Sequence, residues 1–238
     1  MSSRITGAID LVPLPSPSGI AIDLSAGEGI ASRALQERGW RVISTEFHPG
    51  TRGWVSADLT WNFPFRDQRA DLVVMLEVIE HLPDIAHALS EISRILKPGG
   101  LALISTPNRL NLTSRVHYLL SGFYKGRRSP LPYSYRIDDG RNWHVMGLND
   151  LHWMAHSFDL HVEAIGKSRR KLRSWLYLPV LYLPVLLFSW MLYGRGAKDP
   201  AQSRINRQLY RLMISPSLLL DENLILRLRK TRSESSAD

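Results

Sequence analysis

Cysteine is absent from all 238 residues, which excludes disulfides, thiolate metal sites and cysteine nucleophiles and is compatible with a reducing cytosol. Acids are short relative to bases, 22 against 30, giving a formal charge of +8 and an isoelectric point near 10.0. No internal repeat is visible. The first 19 residues lack the continuous apolar core of a signal peptide, so the folded domain is expected to stay where it is made. Three prolines between positions 13 and 17 predict a loose lead-in over 1–19. What is present is 44% hydrophobic content, enough to bury a substantial core in one domain carrying an insertion.

The most informative stretch is Ile20 to Glu46, IAIDLSAGEGIASRALQERGWRVISTE. Ile20, Ala21, Ile22 and Leu24 form the short apolar run of a strand covered on both faces. A turn with Asp23, Ser25, Gly27 and Gly29 follows, where glycine lets the main chain approach a ligand closely. A helix from about Ile30 to Arg38 directs its N-terminal amides back at that turn, and Gly39 supplies its stop. Glu46, at the end of the next strand, sits where an acid accepts both hydroxyls of a ribose. The three-glycine fingerprint of a dinucleotide site is missing, since positions 25 and 32 are serine. An acid at Asp23 suits a ligand carrying an ammonium better than one carrying a phosphate.

DLSAGEG (23–29), EVIEHLPD (77–84) and EISRILKPGGLALISTPN (91–108), in that order, resemble the class I S-adenosylmethionine-dependent methyltransferases. The nearest branch contains ubiquinone-biosynthesis and glycan- or lipid-modifying O-methyltransferases. The resemblance implies a doubly wound, mostly parallel seven-stranded sheet of Rossmann-like type. It implies S-adenosylmethionine as methyl donor, with Asp23, Ser25, Gly27 and Gly29 at its methionine end. Glu46 is implied at the ribose, Asp58 and Leu59 at the adenine, and Glu77 at the end of the fourth strand. Ser25 departs from the usual glycine, which predicts a tighter or slightly displaced methionine pocket.

Further along, Trp54 to Ala57 and Asp71 to Leu76 read as strands. Pro83 opens a helix whose apolar positions share one face, KPGG ends it, and Leu101 to Ser105 is a fifth strand. Leu148 to Phe158 reads as a helix capped by Asn149 or Asp150, and Leu160 to Ile165 as a sixth strand. Asp23, Glu46, Asp58, Glu77 and Thr106 then fall at strand carboxyl ends, where open α/β sheets bind ligands. His81 is the candidate general base, with Glu80 beside it. His117 and His144 are rivals in a long acceptor-facing segment, Pro107 to Met146, that also holds Arg127, Arg128, Tyr133, Tyr135, Arg136 and Trp143. Glu77, Glu80 and His81 match an E-x-x-E-H string associated with a divalent ion in ubiquinone-type relatives. The assignment here is no metal, with those three residues as ligands in the alternative.

The methyltransferase domain is thus expected over 20–166 and 222–231, where NLILRLRKT alternates like the family's last, antiparallel strand, and 232–238 form a tail. Between them, 167–221 is a basic and apolar helical insertion. Ten of its bases lie between Gly166 and Ile214 against Asp199 alone, around SWLYLPVLYLPVLLFSWMLY (174–193). That run is long enough to cross a bilayer. Both of its ends return to one sheet, however, and Pro179 and Pro184 would break hydrogen bonding in mid-bilayer. A re-entrant or in-plane anchor at the cytoplasmic face is the expectation, helped by Arg204, Arg207 and Arg211; a buried core or dimer helix is the rival. The expected function is methyl transfer to oxygen on a lipid-linked, glycan or other small acceptor at a membrane. An RNA methyltransferase and a non-catalytic S-adenosylmethionine-binding module are the alternatives.

Overall fold

A strand with no polar face must be covered twice, and the computed structural model places the most apolar strands at the middle of the sheet. Residues 3–16, 18–47, 53–124, 144 and 146–231 are described. The seven strands are β1 (Ile20–Asp23), β2 (Arg41–Glu46), β3 (Val55–Ser56), β4 (Ala70–Leu76), β5 (Leu96–Pro107), β6 (Leu160–Ile165) and β7 (Asn223–Lys230). Their order is β3-β2-β1-β4-β5-β7-β6, parallel except for β7, which runs antiparallel to both β5 and β6. Ile22, Val73 and Met75 face one core together with Leu89, Ile92 and Ile104. Ala21, Leu72 and Val74 face the other, with Leu35, Trp40 and Ile225. Strand order reverses between β1 and β4, which opens a crevice at their carboxyl ends.

The expected loose lead-in is corrected in part. Ser3–Ile9 forms a helix, α1, whose Gly7, Ala8 and Ile9 are buried. Ile5, Ala8, Ile9 and Val12 recur at helical spacing and pack on the Leu35–Trp40 side of the sheet. The prolines that discourage regular structure all lie beyond this helix. Gly7 makes the close approach: a Cβ there would sit 1.7 Å from the Lys167 carbonyl oxygen.

The remaining helices of the domain are α2 (Ile30–Glu37), α3 (Ile85–Ile95), α4 (Leu112–Ser121) and α5 (Leu148–His156). Asp84, rather than Pro83, begins α3, its carboxylate accepting from the His87 amide at 2.9 Å. Gly147 is the residue at the start of α5, with Asp150 accepting from its amide at 2.8 Å. β5 begins at Leu96, so Lys97 to Gly100 form an irregular entrance to the strand instead of a separate stop.

Between β6 and β7 the chain makes α6 (Leu172–Ser189), a π-helical turn (Trp190–Gly194), α7 (Pro200–Met213) and α8 (Pro216–Leu220). Tyr177, Leu178, Leu181 and Val185 of α6 pack on Leu112, Leu219 and Leu220. Asn108 ties this insertion to the end of β5, donating to the Leu218 and Asp221 carbonyls at 2.8 and 3.1 Å.

Candidate functional site

At the end of β1 the chain turns sharply, and Ser25 takes a left-handed conformation with φ of 59°. Glycine accepts that conformation without strain, whereas a serine there costs about 1–2 kcal/mol. Two hydrogen bonds offset the strain: its amide donates to Thr45 Oγ1 at 3.0 Å and its hydroxyl to Glu46 Oε1 at 3.5 Å. Gly29 is left-handed as well, and a Cβ on it would press the Trp54 ring at 3.0 Å.

Asp23 is only 2% exposed. Ser32 Oγ donates to its Oδ2 at 2.5 Å and lies 2.8 Å from Ser44 Oγ. Burial nevertheless pushes the Asp23 carboxyl up to about 6, and the nearby Glu46 carboxylate adds to the shift. A cation beside it would restore its charge. Glu46 itself is held at the mouth of the turn, its Oε2 accepting from the Gly27 amide at 2.9 Å and Oε1 from the Phe47 amide at 3.0 Å. Asp58 forms an Asx turn, with Oδ1 accepting from the Thr60 amide and hydroxyl at 2.9 and 2.7 Å. Leu59 beside it is buried in the core.

The end of β4 repeats the pattern. Glu77 is likewise left-handed, φ 59°, and accepts from Ser105 Oγ and Asn223 Nδ2, both at 2.9 Å. Arg4 of α1 completes its shell, Nη1 lying 3.4 Å from Oε2. Glu80, in the short 3-10 turn Ile79–His81, points inward and is 1% exposed. Burial first, and then the Glu77 charge, raise its carboxyl to about 8. Its Oε2 and the Thr106 Oγ1 are both buried, and the Thr106 hydroxyl offsets a little of that rise. His144 folds back on the same turn: its amide donates to the Glu80 carbonyl at 3.3 Å and its Nε2 meets the Pro83 carbonyl at 3.3 Å. The imidazole is then protonated at Nε2 and keeps Nδ1 as acceptor.

These ends line a cleft of 270 Å³ walled by Arg4, Asp23, Ser25, Gly27, Ala31 and Leu76, among others. Its one cation, Arg4, and the buried acid Asp23 face it together, with the exposed Glu28 as a second acid in the wall. The pair of Arg4 and Asp23 is complementary to the carboxylate and ammonium of an amino acid, and the Arg4 Nε is buried with no partner in the protein. The methionine end of S-adenosylmethionine therefore fits the residues present. Sequence reasoning missed Arg4 because it took 1–19 as unstructured; the helical spacing of Ile5, Ala8, Ile9 and Val12 was the available signal.

Other expected groupings separate. Among the described residues no three His, Cys, Asp or Glu side chains are arranged to hold a metal ion. Glu80 turns into the core while Glu77 is engaged by Ser105, Asn223 and Arg4, so the Glu77, Glu80 and His81 ligand set does not form in this geometry. His117 lies on the exposed surface of α4, its Nδ1 2.7 Å from the Phe123 carbonyl. Asn108 and Asn111 of the expected acceptor wall are buried structural residues, Asn111 capping α4 through the Ser114 amide. Arg127, Arg128, Tyr133, Tyr135, Arg136 and Trp143 lie outside the described residues.

Over residues 3–165 the chain matches a family model described as a methyltransferase domain. It is 34% identical over 119 residues, 46% of this chain, to a probable S-adenosylmethionine-dependent methyltransferase of Mycolicibacterium smegmatis. It is 31% identical over 130 residues, 55% of this chain, to the ubiquinone biosynthesis O-methyltransferase of Burkholderia ambifaria. Each alignment spans 42% of the relative, so the chain covers less than half the length of these curated proteins. Among solved structures, the Burkholderia thailandensis 1,6-didemethyltoxoflavin-N1-methyltransferase, holding S-adenosylhomocysteine, superposes with a TM-score of 0.53. The match covers 97% of this chain and 79% of that one at 15% identity, which is a likeness of fold.

Proposed function

The chain belongs to the class I S-adenosylmethionine-dependent methyltransferases, and on that premise we propose that it methylates an oxygen of a lipid-linked or glycan-type acceptor at a membrane surface. The observation that carries the enzymatic part is the meeting of Arg4, Asp23 and Glu46 around one glycine turn. Arg4 and Asp23 would hold the amino-acid end of the donor, Glu46 the ribose, and Asp58 and Leu59 the adenine. When bound, that donor supplies an electrophilic methyl on a sulfonium.

The chain's own task is then to align the acceptor, exclude water and take a proton. His81 and His144 stand at the same turn beyond β4, which makes either imidazole able to accept the hydroxyl proton, His144 through Nδ1. Glu80 is a positioning residue: its carboxyl is buried beneath the turn, and its backbone carbonyl accepts from the His144 amide at 3.3 Å. The ubiquinone O-methyltransferase likeness favours oxygen as the accepting atom. The exposed apolar helix of the insertion favours an acceptor delivered at a bilayer.

Incubating purified protein with methyl-labelled donor and separated lipid, glycan and RNA fractions tests the reading. Label in the lipid or glycan fraction is expected. Label confined to RNA would replace the acceptor class, and donor binding without any transfer would reduce the protein to a binding module.

A further inference from the structure

A helix that is apolar all round is normally enclosed. α6 is not. One face packs on α4 and α8, yet Leu172, Leu176, Val180, Leu183 and Leu187 form a second stripe at helical spacing, each between 52% and 85% exposed. With the π-helical turn it makes a 23-residue segment whose most apolar 18-residue window has a mean hydropathy of 1.7 and is only 11% buried. Pro179 and Pro184 remove amides from the helix, so the Trp175 and Val180 carbonyls lose their usual partners. At an interface, water and headgroups can satisfy those carbonyls; in mid-bilayer nothing would.

Beside this stripe lie two adjoining cavities that share Arg170. The first, 490 Å³, is an apolar groove between α6 and the segment joining α7 to α8, lined by Leu178, Pro179, Tyr182, Leu183, Ile214 and Leu219, among others. The second, 260 Å³, is bordered by Arg169, Arg170, Lys171 and Arg173, with Glu222 as its acid. Arg170 stands at the junction, its guanidinium 5.6 Å from the Trp175 ring centroid and its Nε 4.0 Å from the buried Asp221. From Gly166 to Lys198 the chain has seven bases and no acid.

We infer that these joined cavities bind one anionic phospholipid, its phosphate among Arg169, Arg170 and Arg173 and an acyl chain along the α6–α8 groove, so that the insertion docks in the plane of a bilayer. Charge complementarity selects this occupant. A second copy of the chain, paired symmetrically, would set these arginines against one another. Trp175, Tyr182 and Trp190 are half-exposed beside the stripe, where amphipathic rings suit the headgroup level. The inference rests on the membrane half of the proposed function and is independent of methyl transfer.

The test is flotation of the full chain with phosphatidylcholine vesicles with and without phosphatidylglycerol, at low and high salt, alongside quenching of tryptophan fluorescence by brominated phosphatidylglycerol. Wild-type protein is expected to float with anionic vesicles, to stay bound in high salt and to be quenched. Arg170→Glu combined with Arg173→Glu should weaken partition by about fivefold or more for each charge removed. Leu183→Asp should abolish the salt-resistant part. Unchanged S-adenosylhomocysteine affinity shows that each variant is folded. Release by salt alone, equal binding to neutral vesicles, or a dimer that ignores vesicles would overturn the site. A methylating enzyme indifferent to lipid sinks only this inference; a lipid-bound protein without turnover supports it and sinks the enzymatic reading.

Discussion

The crevice above β1 and β4 and the outer face of α6 break the same rule in opposite senses. At and beneath the crevice, acids are buried, Asp23 and the inward-turned Glu80 at 2% and 1% exposure; on α6, leucines are displayed, Leu172 at 85%. Burying a carboxyl costs free energy unless a charge or donor answers it, and displaying a row of leucines costs hydration. On the reading proposed above, a cation and polar ligand answer the first violation and an apolar phase the second. The crevice further holds two of the four left-handed non-glycine residues among those described, Ser25 and Glu77, whereas the helix has none but gives up hydrogen bonds at two prolines.

If the crevice is the chemical half, the largest effect belongs to its proton acceptor. His81→Ala should lower kcat by about 10²–10⁴-fold while S-adenosylhomocysteine affinity, read by calorimetry, stays level. A fall seen with His144→Ala and not with His81→Ala would move the role to the other imidazole.

Next comes the buried acid. Glu80 has its carboxyl raised from 4.5 to about 8, so between those values the folded protein holds a proton that the unfolded chain has released. Its stabilising contribution is complete below about pH 4.5 and is lost as pH climbs through about 8. Glu80→Gln, neutral throughout, should therefore gain on wild type in thermal melts between pH 5 and pH 9, by about 3–4 kcal/mol at most. A constant difference across that range would mean that Glu80 ionises freely and is not the enclosed group described above.

Smaller effects fall on the donor contacts. Glu46→Ala should weaken S-adenosylhomocysteine binding by about 1–3 kcal/mol, and Asp58→Ala and Arg4→Ala by amounts at the lower end of that range. Arg4 sharpens the comparison most, because it also faces Glu77: its loss should lower cofactor affinity and turnover together. Normal affinity in all three would remove the crevice assignment.

How much of this could be read beforehand follows the range of the interactions. β1, β2, β4 and β6 are local apolar runs, and the glycine turn with Glu46 is a local spacing, so both were legible. The last strand was legible through its alternation and the family resemblance. For Arg4 only half was legible: helical spacing marks α1, but where that helix docks depends on Gly7 nesting against Lys167, which is 160 residues away in sequence. The inward turn of Glu80 was equally hidden, since an E-x-x-E-H string does not say which acid faces the cleft. Nor could hydropathy tell which side of α6 is covered: Leu178 and Leu181 pack, Leu176 and Leu183 do not, and all four are leucine.

That last distinction yields the smallest expected effect and the cleanest contrast between the two regions. Leu176→Ser with Leu183→Ser removes apolar surface that the isolated chain never buries, so the melting midpoint in detergent-free buffer should move by no more than about 0.5 kcal/mol of stability. Leu219→Ala, on the covered side, removes fully buried hydrocarbon and should cost about 2–5 kcal/mol. A large loss from the serine pair would mean that the stripe is covered in solution, by a second copy or by chain outside the described residues. The exposed face would then be an ordinary core surface, and the symmetry drawn between buried acids and displayed leucines would fail on its apolar side.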